Sequence, residues 1–108
     1  MDITDEDIHK VIDYLAYKAP ELYSNAKEIR VLTESLVKSI KSEIFLKETG
    51  TVAEREAEAL SNEIYKNAIK DYATAVKNEE LIKLRISAAN MKIEIWRTLS
   101  SNRRAMRV

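Results

Sequence analysis

The sequence predicts an all-α protein: an elongated antiparallel helical bundle, or helical hairpin, with one long C-terminal helix that self-associates. Three observations predict it. One Gly and one Pro in 108 residues leave the chain few places to turn. With Glu79 filling one gap, apolar residues recur at alternating steps of three and four, from Tyr65 through Ala68, Tyr72, Ala75, Ile82, Ile86, Ala89 and Ile93 to Trp96. Those are the a and d positions that keep one stripe of a helix against a neighbour. Ala, Leu, Ile, Lys and Glu dominate the same stretch, so propensity agrees with pattern.

The elements follow in order within a single all-helical domain, 1–108. A first helix is expected over about 5–18, with Thr4 as N-cap and Asp5, Glu6 and Asp7 at its positive end. Ile8, Val11, Ile12 and Leu15 form its stripe. Pro20 stops or kinks it, because the residue before proline avoids the α region, and Pro20 also suits the first position of the next helix. That second helix, about 20–47, carries Leu22, Ala26, Ile29, Thr33, Leu36, Ile40 and Ile44 as its stripe, widened by Leu32, Val37 and Phe45. Its charges, Lys27, Glu28, Arg30, Glu34, Lys38, Lys41 and Lys47, fall mainly off the seam.

Glu48-Thr49-Gly50-Thr51 is the clearest turn, and Gly50 fits a left-handed C′ position. Thr51 and Glu54 match a capping box for a short helix over about 52–60. Ser61-Asn62 offers a second cap and a break before the long helix, about 62–104.

At ~1.5 Å per residue, roughly 40 helical residues span about 60 Å. A compact chain of this length has a radius of gyration near ~13 Å, so the helix belongs to a rod-like bundle or projects into another subunit. Beside the seam runs a second stripe, Leu81, Leu84, Ala88, Met91, Ile95 and Leu99, too wide for one neighbour to cover. Self-association is therefore assigned to Ile82, Leu84, Ile86, Ala89, Ile93, Ile95 and Trp96, giving a homo-oligomer. Glu79 lies on the seam, as a polar layer that fixes register or as a solvated gap where the facing helix has ended.

Composition excludes several functions. Eighteen basic and eighteen acidic residues cancel, so no global field draws in nucleic acid. The distribution is uneven, with Asp2, Asp5, Glu6 and Asp7 at the start and Arg97, Arg103, Arg104 and Arg107 at the end. No Cys means no disulfide and no thiolate metal site. A single Gly cannot build a phosphate-cradling loop. His9 has no second His or Cys to work with, and Glu54, Glu56, Glu58, Glu63 and Glu79-Glu80 lack the Glu-x-x-His of di-metal bundles. No catalytic residue, metal, cofactor or small-molecule substrate is expected, and the chain is not expected to be an enzyme. No apolar run approaches the ~18 residues that span a bilayer, and the acidic start is the reverse of a signal peptide, so a soluble intracellular protein is expected.

Two surfaces remain. Tyr14, Tyr17 and Tyr23, interleaved with Lys18, Lys27 and Arg30, have the composition of a stacking surface for single-stranded bases. Partly buried rings at a helix crossing are the plainer reading. The stronger candidate for partner or nucleic-acid binding is Trp96, Arg97, Arg103, Arg104 and Arg107. Trp and Arg are the commonest interface anchors, and Arg neutralises phosphates. The same Arg residues also offset a helix macrodipole.

Tyr14-Leu15 with Ala19-Pro20, Ala53-Glu54-Arg55-Glu56-Ala57, Glu79-Glu80-Leu81, and Lys92-Ile93-Glu94-Ile95-Trp96-Arg97-Thr98 followed by Ser101-Asn102-Arg103 cover most of the chain. Together they resemble a family of small, largely uncharacterised helical proteins of tailed bacteriophages. Relatives in it often carry a proline near the position of Asn62, which this sequence lacks. The resemblance implies expression in the host cytoplasm and genes neighbouring recombination and replication functions. It brings no catalytic residues. The expected function is a non-enzymatic accessory of phage DNA metabolism that binds protein and nucleic acid. The competing reading is an interaction protein that captures a host or phage protein without touching DNA.

Overall fold

Reciprocal hydrogen bonds open the first helix. In the computed structural model, which describes residues 3–107, Thr4 Oγ1 accepts from the Asp7 N–H at 3.1 Å and Asp7 Oδ2 accepts from the Thr4 N–H at 3.0 Å. Two of the donors that every helix start leaves unpaired are thereby satisfied. Asp2, counted above in the acidic start, lies outside the described residues.

The path then runs as α1 (Asp5–Asp13), a π turn (Tyr14–Lys18), α2 (Ala19–Lys47), α3 (Val52–Ser61) and α4 (Glu63–Met106). The described residues contain no strand, and the fold is all-α with one long C-terminal helix. The 44 residues of α4 amount to about 66 Å of helix.

Pro20 does not end a helix. Of the two expectations for Pro20, a stop or a kink, the stop does not occur: α1 passes into α2 without leaving helical conformation. The reason is local. Pro20 lacks an N–H and its ring crowds the carbonyl four residues back, so an ordinary α turn cannot hold it. The chain opens instead into π geometry, with the Ala19 N–H donating to Tyr14 O, five residues back.

Two connections break the helical path. After Lys47 the chain turns at Gly50, whose φ of +112° is a conformation that side chains rarely adopt. Gly50 is the third residue past the helix end, further out than a C′ cap, and the Glu54 carboxylate occupies the place of its missing Cβ. Thr51 caps α3, its Oγ1 accepting from the Glu54 N–H at 3.2 Å. Asn62 is extended (φ −70°, ψ 130°) and caps α4 by accepting from Ile64 N–H and Tyr65 N–H at 2.9 and 3.2 Å. The extended backbone of Asn62 ends α3, and its side chain starts α4.

The chain divides into two compact units. One gathers the described residues up to Ser24 with those from Glu80 onward; the other is Asn25–Glu79. In the first, Ile3, Ile8, Ala19 and Ala89 are buried, with Val11, Leu15, Tyr23, Ile82, Ile86, Ile93 and Trp96 half-buried around them. In the second, a helical hairpin, Ala26, Ala59, Tyr65, Ala68 and Ala75 are buried, flanked by Thr33, Val37, Ile40, Ile44 and Tyr72. Alanines at the seam let helix backbones approach closely. The core is thin: among the described residues no large side chain is fully buried.

The α4 seam lies where the 3/4 spacing puts it, every position from Tyr65 to Trp96 being buried or half-buried. The α2 seam does so only in part. Ala26, Thr33, Ile40 and Ile44 of the expected stripe are covered, together with Ala19, Tyr23, Arg30 and Val37, while Leu22, Ile29 and Leu36 of that stripe, and Leu32 beside it, are exposed. Arg30 therefore belongs to the seam. It is there because Glu79 is: the Arg30 Nε donates to Glu79 Oε2, and Nη1 lies 3.4 Å from Glu34 Oε2. Glu79 is a polar layer within this unit.

Candidate functional site

Beyond Trp96 the seam of α4 changes character. The positions that continue it at helical spacing, Ser100, Arg103 or Arg104, and Arg107, are polar or basic. They line an open groove of about 370 Å³ with Trp96, Arg97 and Asp5. Asp5, from the first turn of α1, is the only lining residue outside the C-terminal segment among the described residues. The groove is the seam itself, carried past the point where the start of α1 covers it.

All five residues that the sequence singled out for binding thus share one groove. Trp96 is half-buried and fixed: its indole N–H donates to Asp5 Oδ1 at 3.1 Å, so the ring forms a wall. Arg97 is held by Glu94 at 3.1 Å, one turn back on the same helix. Arg103, Arg104 and Arg107 are exposed and make no salt bridge to any described residue. Four guanidinium groups face one carboxylate, and that carboxylate is already accepting from Trp96. Near a helix C-terminus these cations offset the macrodipole, yet three of them lean over a concave surface with their donors unspent. The planar fork of such a guanidinium suits the paired oxygens of an oxyanion, phosphate above all.

Asp5 was not foreseen as a groove residue. Its contact with Trp96 bridges 91 positions of sequence, and only its place opposite the basic end in charge hinted at it.

The other expected surfaces fare differently. Of the residues assigned to self-association, Ala89 is buried and Ile82, Ile86, Ile93 and Trp96 are half-buried. Leu84 is exposed and Ile95 half-buried. The tyrosine surface does not assemble: Tyr17 is exposed, Tyr14 and Tyr23 are half-buried, and Arg30 is committed to Glu79. The hydroxyl of Tyr14, the first residue of the π turn, is buried with no hydrogen-bond partner. Arg55 lies over the Phe45 ring, 4.7 Å from its centroid, and closes α3 onto the end of α2. His9, Glu54, Glu56, Glu58 and Glu63 are exposed, and no group of three potential ligands among the described residues could hold a metal ion. No helix of the described residues is long and apolar enough to cross a membrane.

Comparison with known proteins finds no matching family model, no matching curated protein and no matching solved structure.

Proposed function

We propose that this chain is a non-enzymatic binding protein whose basic groove docks the phosphate backbone of nucleic acid. The observation that carries this reading is the convergence of Arg97, Arg103, Arg104 and Arg107 on one concave surface, three of them without an acidic partner. Trp96, hydrogen-bonded to Asp5, gives the groove one wall. The resemblance to phage proteins supports a setting in phage DNA recombination or replication, in the host cytoplasm.

The test is binding to DNA over a range of salt concentrations. Each phosphate neutralised contributes about 0.7–0.9 to the log–log salt slope. Changing Arg103, Arg104 and Arg107 to Ala should lower affinity and reduce that slope by about 2 to 3. An unchanged binding curve rejects the proposal.

A second reading is favoured by the pairing of Trp96 and Arg97 at the same groove, since Trp and Arg dominate protein interfaces. There the groove takes an acidic segment of a host or phage protein, and no DNA is contacted. Capture of one protein that survives nuclease and moderate salt separates this reading from the first.

A further inference from the structure

Beside the covered seam of α4, Leu81, Leu84 and Met91 are 42%, 59% and 64% exposed. With Ala88 and Ile95 they repeat at three and four, a second a/d stripe that begins at Leu81 and lies wholly within one unit. We infer that this stripe pairs with the same stripe of a second copy of the chain, parallel and in register.

Two features single out a second copy and fix its direction. With Leu81, Ala88 and Ile95 at a and Leu84 and Met91 at d, the g flank carries Glu80 and Glu94 and the e flank carries Arg85 and Lys92. One side of the stripe is acidic and the other basic. In a parallel pair, g of one helix meets e of the other, so Glu80 faces the second copy's Arg85 and the reverse. In an antiparallel pair e meets e, and Arg85 is set against Lys92. The stripe is therefore complementary to itself in one direction only. The surface shape agrees. Met91, Glu94, Ile95 and Thr98 line a depression with Leu99. That i, i+3, i+4, i+7 diamond is the hole into which a coiled-coil knob inserts, and in register the knob is the second copy's Ile95.

Parallel pairing has a further result that does not depend on what the basic groove binds. It places both grooves at one end of the pair, on its outer faces, because Trp96, Ser100 and Arg107 lie on the other side of α4 from the stripe.

The chain contains no Cys, so single cysteines report orientation cleanly. The expected result is a dimer by sedimentation or light scattering, Leu84→Glu giving a folded monomer, and Leu84→Cys linking to itself on mild oxidation faster than Asn90→Cys. Asn90 is exposed on another side of α4. An antiparallel pair centred between Ala88 and Met91 would hold the two 84 positions roughly 16 Å apart along the axis. Glu80→Arg or Arg85→Glu alone should weaken the dimer about tenfold, and the two together should restore it. A monomer at all concentrations up to roughly 100 µM, a dimer that Leu84→Glu leaves intact, or Leu84→Cys linking no faster than Asn90→Cys overturns the inference.

Discussion

Replacing Arg30 with Met should destabilise the Asn25–Glu79 hairpin far more than changing any exposed charged residue in it. Glu79 is only 5% exposed, and its carboxylate would lose its guanidinium partner while staying in the seam. Breaking a fully buried pair costs about 3–5 kcal/mol. The Arg30 side chain is 27% exposed and that of Glu34 is 38% exposed, so water screens part of the interaction and the expected cost is about 2–4 kcal/mol. With a urea slope of about 1.5 kcal/mol/M for a domain this size, the midpoint falls by roughly 2 M. The companion variant, Arg30→Met with Glu79→Leu, should recover wild-type stability or exceed it, because desolvation of both charges disappears together. Urea unfolding followed by circular dichroism measures all four corners of this cycle. A midpoint shift below roughly 0.3 M for Arg30→Met, or a double variant as unstable as the sum of the singles, would refute the idea that this layer is a coupled interior pair.

Two further outcomes follow from the first helix. The Thr4 N–H, then the Thr4 hydroxyl, hold the Asp7 carboxyl below its usual 3.8. A depressed folded value stabilises the fold above the unfolded pKa and loses that contribution as pH falls through the folded one. An NMR titration of Asp7 should therefore show a midpoint under 3.8, and a midpoint at or above it would contradict the cap geometry. Thr4→Ala should cost about 1 kcal/mol in thermal unfolding. In the π turn, deleting exposed Ala16 together with Pro20→Ala should leave a cooperative, fully helical protein, since the turn holds one residue more than strict 3/4 alternation needs. Deleting Ala16 alone forces Pro20 into a regular α turn at a cost of about 3 kcal/mol. A double variant less stable than the single deletion would defeat this account.

The α4 seam was legible because its neighbours are charged and leave only one inward face between Tyr65 and Ala75. On α2 periodicity offers two faces, and apolarity favours the wrong one: Leu22, Ile29 and Leu36 outweigh Tyr23, Arg30 and Val37. The deciding signal was Glu79, which needs a cation opposite it, and Arg30 is the residue that supplies it. Charge on a helix is usually solvent-facing, so pattern alone puts Arg30 off the seam. The groove was legible for a simpler reason. Its Trp and Arg residues sit on one helix at helical spacing, while Asp5 enters by tertiary contact that no local pattern encodes.

The π turn acts on this ambiguity as a phase shifter. Followed in strict alternation, Ile8, Val11 and Leu15 lead on to Leu22, Ile29, Leu32 and Leu36, all of which are exposed. One extra residue between Tyr14 and Lys18 rotates everything after it by about a quarter turn and sends Ala19, Tyr23, Ala26 and Arg30 inward instead. A single proline, through the turn it forces, thereby decides which side of a helix is interior, and it leaves the oilier side in water.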